Sequence, residues 1–182
     1  MKPARLFLTP LTLSDTDALH ALLTDADIRR YLMDGQVVSR NWTRSQIVQS
    51  VRAMKRTGLG LWGIRHDPRG AMIGVCGYRS FHDPRQPELM YALHPHYWGK
   101  GYVERVARAV SRRGFERGMR TIIAGADEPN VRSRRVLERL GMRRIAKRPS
   151  RIFGREWRYG LSSAGFNRTR STRSRSATLV LP

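Results

Sequence analysis

Residues 88–101 read Glu-Leu-Met-Tyr-Ala-Leu-His-Pro-His-Tyr-Trp-Gly-Lys-Gly. Glu88–His94 is a strand-like run that Pro95 stops. A short segment with two glycines follows, and then Val103, Val106, Ala107 and Val110 recur at helical spacing. The order is strand, glycine loop, helix. Gly99 and Gly101 let the main chain approach a ligand closely. Exposed N–H groups and the positive end of the following helix suit a phosphate, and Lys100 adds a charge. The loop is neither GxxxxGK[ST] nor GxGxxG. On the glycines alone, a simple tight turn is the competing reading.

Outward from this loop the chain alternates elements. Residues 5–13 form a first strand. Ser14 with Asp17 predicts a capping box for a helix carrying Leu19, Leu22 and Leu23. A second helix starts near Thr43, with Ile47, Val48, Val51 and Met54 on one face. Leu59–Arg65 and Ala71–Tyr78 form a hairpin around Asp67-Pro68-Arg69-Gly70. Beyond the 103–110 helix, Thr121–Ala126 reads as a buried strand. Asn130 caps a helix whose inner side carries Val131, Val136, Leu137 and Leu140, and Gly141 ends it. Strands near Met142–Lys147 and Arg155–Leu161 complete a mixed α/β domain over residues 1–161. Residues 162–182 are rich in Arg, Ser and Thr and are expected to be a mostly disordered tail.

Composition bounds the function classes. The chain has 182 residues with 35 Lys+Arg against 14 Asp+Glu, a net charge of +21. Such a field favours polyanionic partners, although many of these side chains are simply solvated. No apolar run is long enough to span a bilayer, so no membrane role is expected. The first residues lack a signal-peptide core, and the lone Cys76 can form no intrachain disulfide. A cytoplasmic setting is the expectation. Cys76 reads as a packing residue. His94 and His96, with Pro95 between them and no accompanying Cys or carboxylate cluster, do not make a metal site.

Taken together, His96-Tyr97-Trp98-Gly99-Lys100-Gly101 resembles the pyrophosphate loop of the GNAT superfamily of N-acetyltransferases. That loop favours Gln or Arg where this chain has His96. Met72–Tyr78 is similar to the strand before the family's cofactor strand. Asn130-x-x-Ser133, on a helix ending Leu140-Gly141-Met142, is similar to its second cofactor segment. The matches are ordered and cover residues 5–161. The wording is nearest the branch that acetylates N-termini of ribosomal proteins.

The resemblance implies a mostly antiparallel mixed sheet flanked by helices, with splayed fourth and fifth strands. It implies acetyl-coenzyme A as co-substrate and direct transfer to a primary amine. The pantetheine arm would pair with Tyr91, Ala92 and Leu93. The pyrophosphate would lie on His96, Tyr97, Trp98, Gly99, Lys100, Gly101 and Tyr102, with Asn130 and Ser133 contributing from the second segment. Glu88 is the candidate base, directly or through water; a solvated strand-end glutamate, or a partner for one of the many arginines, is its plainer reading. Ser133 is the candidate acid, or else a first-turn helix residue. Asn130 serves as cap, pantetheine contact or both. A free N–H near Leu93 would face the oxyanion.

The expected acceptor is a protein N-terminal α-amine, with a small-molecule amine as alternative. The acceptor is expected to be set by residues 33–44 and 149–155. The expected assembly is a monomer or homodimer. A reading of another class is an RNA- or polyanion-binding protein, with the ribosome as one such partner. Its support is the basic run from Arg168 to Arg175.

Overall fold

The structure is a computed structural model, and it describes residues 5–81, 83, 85–171 and 179–180. The strands are β1 (Leu6–Pro10), β2 (Leu61–Arg65), β3 (Met72–Arg79), β4 (Glu88–Leu93), β5 (Thr121–Asp127), β6 (Arg143–Ser150), β7 (Gly154–Ser162) and β8 (Leu179–Val180). The helices are α1 (Thr16–Thr24), α2 (Ala26–Leu32), α3 (Arg40–Thr57), α4 (Tyr102–Glu116), α5 (Val131–Arg139) and α6 (Ser163–Ser171). The sheet order is β6-β7-β5-β4-β3-β2-β1-β8. Most pairings are antiparallel; β4–β5 and β1–β8 are parallel.

One pairing positions everything else. β3 and β4 are in register from Gly74↔Leu93 to Arg79↔Glu88. β4 and β5 meet only at Glu88↔Ile123. β5 turns instead to β7, pairing from Thr121↔Ser162 to Asp127↔Glu156. The fourth and fifth strands therefore diverge after one bridge, as the resemblance implied.

The period-2 alternation of each strand builds a core on both faces of the sheet. Leu89 and Leu93 join Ile122, Ala124, Val106, Val110, Leu137 and Tyr159 beneath α4 and α5. Met90 and Ala92 join Leu19, Leu22, Leu23, Ile28 and Ile47 beneath α1–α3. The α5 terminus follows a Schellman pattern: Gly141 N–H donates to Glu138 O and Met142 N–H to Leu137 O, both at 3.0 Å, with Gly141 at φ 89.

Several sequence expectations change. The first cap is Thr12 with Asp15, not Ser14 with Asp17: Thr12 N–H donates to Asp15 Oδ2 at 2.8 Å. Asp15 also pairs with Arg65, a charge partner 50 residues away that local pattern cannot show. α2 was not anticipated; its ADIRRYL sequence buries only Ile28. Val131 is 44% exposed rather than inward. The ordered body also continues past residue 161. Ser163–Ser171 is helical, and Phe166 is 2% exposed, with its ring 5.3 Å from that of Phe115. One aromatic anchor outweighs a polar average. Residues 172–178 and 181–182 of the expected tail lie outside the described residues.

Phe166→Ala is expected to destabilise the fold by about 3 kcal/mol, the low end for a buried aromatic truncation. Urea unfolding measures it; an unchanged midpoint would show that α6 does not contribute to the folded body.

Candidate active site

The edge of β4 that faces the divergence is set by alternation. His94 N–H donates to Ile73 O at 2.9 Å, toward β3. In an antiparallel pair a residue's N–H and C=O share a side and neighbours alternate. Ala92 therefore faces β3, whereas Tyr91 and Leu93 direct main-chain groups into the opening. Trp98 Nε1–H donates to Leu93 O at 2.6 Å. The Leu93 N–H thus lies on the edge that faces the divergence, and the carbonyl of the same residue is engaged by an indole.

The glycine loop leaves this edge through a short turn, in which Tyr97 N–H donates to His94 O at 2.9 Å and Trp98 N–H to Pro95 O at 3.0 Å. Gly99 and Gly101 have φ of 76 and 72. A side chain there would be strained by about 1–2 kcal/mol. A Cβ at either glycine would meet no atom within 4 Å, so the space above the loop is open. Among the described residues no main-chain carbonyl takes the N–H of Gly99, Lys100 or Gly101. Gly101 is the N-cap of α4, whose 15 residues point their positive end here. Lys100 Nζ lies 5.3 Å from the Tyr97 ring centre, and the Arg132 guanidinium lies 4.6 Å from that of Trp98. Tyr97 stacks with Tyr102 at 6.4 Å. His66, absent from the sequence reading, packs on both at 5.4 and 5.5 Å. These donors and cations fit a diphosphate, and the half-open strand edge fits an amide-bearing chain.

Across the opening stands α5. Asn130 Oδ1 accepts from Ser133 N–H at 3.1 Å, so Asn130 is the N-cap. The Ser133 hydroxyl lies 2.8 Å from the Tyr91 hydroxyl, and Tyr91 O–H also reaches Ser133 O at 3.2 Å. Burial pushes the Tyr91 phenol above its ordinary range, with the Ser133 hydrogen bond pulling the other way. At pH 7 this pair is a neutral O–H···O–H couple linking β4 to α5. Tyr91 entered the sequence reading through its backbone; its side chain's reach to Ser133 is a tertiary fact.

The carboxylates occupy the opposite face. Glu88 shares the parity of Met90 and Ala92, on the side of α1–α3, and is 2% exposed. Its two oxygens lie 3.7 Å from Arg148 and 3.9 Å from Arg158. Both distances exceed a hydrogen bond. Arg148 instead grips Glu156 with two bonds of 2.7 Å. Asp127 pairs in register with Glu156 and is 9% exposed. Burial raises the Asp127 carboxyl above its ordinary value; Ser150 opposes this, and Glu156 and Asp34 add to it. Asp127 and Glu156 were missed by the sequence reading. The only signal was that β5 ends in Asp-Glu-Pro-Asn, beside the cofactor-like segment.

The two segments expected to define the acceptor side touch each other. Tyr31 and Phe153 have ring centres 5.1 Å apart. Arg151 Nε lies 4.0 Å from Asp34 Oδ2. Arg29 holds the α2–α3 connection through Gly35 O. Asp34 is close enough to Asp127 to act on its carboxyl, so these segments add mixed charge beside the carboxylate cluster.

Because the Asp127 carboxyl is raised in the folded chain, the native state binds the proton more tightly than the unfolded one. Stability from this group falls as pH rises from about 4 through the folded value. Asp127→Asn cannot ionise. Its urea midpoint relative to wild type is expected to shift in the variant's favour between pH 4 and pH 8; a flat or opposite difference would contradict the burial argument.

Comparison with known proteins agrees with this geometry. Residues 5–143 match the family model described as "Acetyltransferase (GNAT) domain". YkkB of Bacillus subtilis (strain 168), an uncharacterized protein, is 30% identical over 124 residues, 66% of this chain and 71% of its own. The ribosomal L7/L12 alpha-N-protein acetyltransferase RimL, solved with coenzyme A, superposes with a TM-score of 0.71 at 19% identity, covering 85% of this chain and 92% of that one. The aminoglycoside acetyltransferase AAC(6')-Ib, solved with ribostamycin and coenzyme A, gives 0.72 at 18% identity, covering 93% and 99%. With the divergent strands, the open glycine loop and a family match over more than half its length, the chain belongs to the GNAT acetyltransferases.

Proposed function

We propose that this enzyme transfers the acetyl group of acetyl-coenzyme A to the α-amine of a protein N-terminus. RimL and AAC(6')-Ib, both solved with coenzyme A, support the donor. The open loop above Gly99 and Gly101 receives the pyrophosphate, and the β4 edge at Tyr91–Leu93 receives the pantetheine amides. The acceptor enters from the Glu88 face.

The observation that carries the acceptor assignment is the mixed charge of the mouth. Glu88, Asp127, Glu156 and Asp34 stand among Arg148, Arg151 and Arg158. A peptide N-terminus brings one ammonium flanked by carbonyls, which the carboxylates and guanidinium groups match in turn. With four carboxylates against three guanidinium groups, the mouth has too little net charge to draw in a polycation strongly.

The chain's residues then divide the work. An α-ammonium has a pKa of about 7.7–8.0, so part of the population is already neutral at pH 7. Glu88 takes the remaining proton through water, because a carboxylate this buried is not met directly by an entering amine. The Leu93 N–H faces the developing oxyanion. The amine nitrogen bonds the acetyl carbon and passes its surplus proton to water, the carbon–sulfur bond breaks, and the Ser133 hydroxyl, held by Tyr91 O–H, gives the sulfur a proton and regains one from solvent.

Release of free thiol from acetyl-coenzyme A, measured over peptides with free N-termini, polyamines and aminoglycosides, tests the acceptor. Peptides are expected to turn over and the same peptides with blocked N-termini to be inert; turnover confined to the polyamines or aminoglycosides would sink the assignment. Calorimetric titration tests the donor site. Gly101→Asp adds left-handed strain and a negative charge, and is expected to weaken acetyl-coenzyme A at least about tenfold, since 1.4 kcal/mol is a factor of ten. Undiminished binding would place the diphosphate elsewhere.

A further inference from the structure

At the far end of α4 from the glycine loop lies a cavity of about 460 Å³. The C-terminal turns of α3 and α4 form it, and Lys55, Arg56, Gly58, Trp62, Arg113 and Arg117 line it. No acidic residue lines it. Among the described residues none of its four cations makes an ion pair, whereas Arg40, Arg65, Arg108, Arg144, Arg148 and others find carboxylates. Glu116, next to Arg117 in sequence, does not line the cavity.

The arrangement is built. The Arg113 guanidinium sits 5.1 Å over the Trp62 ring, and its Nε–H donates to Gly58 O at 3.4 Å. Arg117 packs on Gly58, where an added Cβ would stand 2.7 Å from Cζ. Gly58 ends α3 in the left-handed region at φ 71. Its lack of a side chain serves both the turn and the arginine. Cations at helix C-termini are ordinary, because each end carries about half a unit of negative charge. Two helix ends therefore offset about one of the four charges, leaving about three unmet.

Three unmet charges exceed what a single phosphate monoester supplies, about −1.5 to −2 at pH 7. A ligand with successive phosphates matches them better. We propose that the cavity at the joint end of α3 and α4 binds the phosphodiester backbone of a single-stranded nucleic acid. Trp62 is 2% exposed and offers no platform for a base, so recognition is of the backbone and independent of sequence.

The full chain is titrated into a fluorescently labelled single-stranded RNA of about 20 nucleotides, read by anisotropy across a salt series wide enough to define the slope. The comparison is Lys55→Gln/Arg56→Gln/Arg117→Gln, three exposed positions, with circular dichroism confirming the fold. The triple variant is expected to bind at least about tenfold more weakly, and its slope of log K on log salt to be shallower by about 2, at 0.7 per lost phosphate contact on a single strand. Its acetyl-coenzyme A titration is expected to match wild type. Three results would each overturn the proposal: wild-type affinity and slope in the variant, displacement of the RNA by coenzyme A, or tighter binding of a phosphoserine peptide than of the RNA.

Discussion

A buried strand edge must find hydrogen-bond partners, and the fold leaves one side of β4 without them. β4 touches β5 at Glu88↔Ile123 and nowhere else along its length. β5 pairs along its other edge with β7 from Thr121 to Asp127 and runs away from β4. The edge at Tyr91 and Leu93 therefore stays open on a rigid strand rather than on a loop. The glycine loop begins where that strand ends, and α4 begins where the loop ends. Strand edge, open N–H groups and helix N-terminus are consecutive in sequence, so a single stretch of chain sets all three.

The sheet also sorts the chemistry by face. Alternation along β4 sends Tyr91 to the α4–α5 side, where its phenol meets Ser133, and sends Glu88 to the other. β5 and β7 do the same with Asp127, Glu156 and Arg158. The neutral hydroxyl pair and the charged cluster are thereby separated by the sheet itself. A buried carboxylate without partners would cost several kcal/mol, and Arg148 and Arg158 supply the compensating charge for Glu88. The two guanidinium groups come from β6 and β7, so the pair that closes the sheet's far edge also stabilises the centre of the site.

What was legible in the sequence follows from the range of the interactions. Periodicity located β2–β7, α3, α4 and α5, because each buries a continuous stripe. The glycines and Asn130 were legible because caps and left-handed turns are local chemistry. α2 was hidden, since one buried Ile28 among polar neighbours makes no pattern. α6 was hidden because composition averages over a segment, whereas docking needs only Phe166. Glu88 was placed correctly on its strand, but its arginines lie 60 and 70 positions further along. Asp127 and Glu156 become a pair only through the β5–β7 register, which nothing in either strand announces. The basic cavity joins residues 55–58 to residues 113–117, and neither half alone differs from an ordinary helix end.

Trp98 holds the Leu93 carbonyl through its indole N–H, and Arg132 lies over the same ring. A ligand amide that pairs with that carbonyl either takes its second lone pair beside the indole or displaces the indole. The exchange replaces one hydrogen bond by another, a net change of about 1 kcal/mol or less. The free protein thus keeps its own stand-in at the strand edge, which spares the carbonyl from standing bare between turnovers. The indole's surroundings would change with any ligand that arrives at this strand edge, which would make its fluorescence a reporter of that edge.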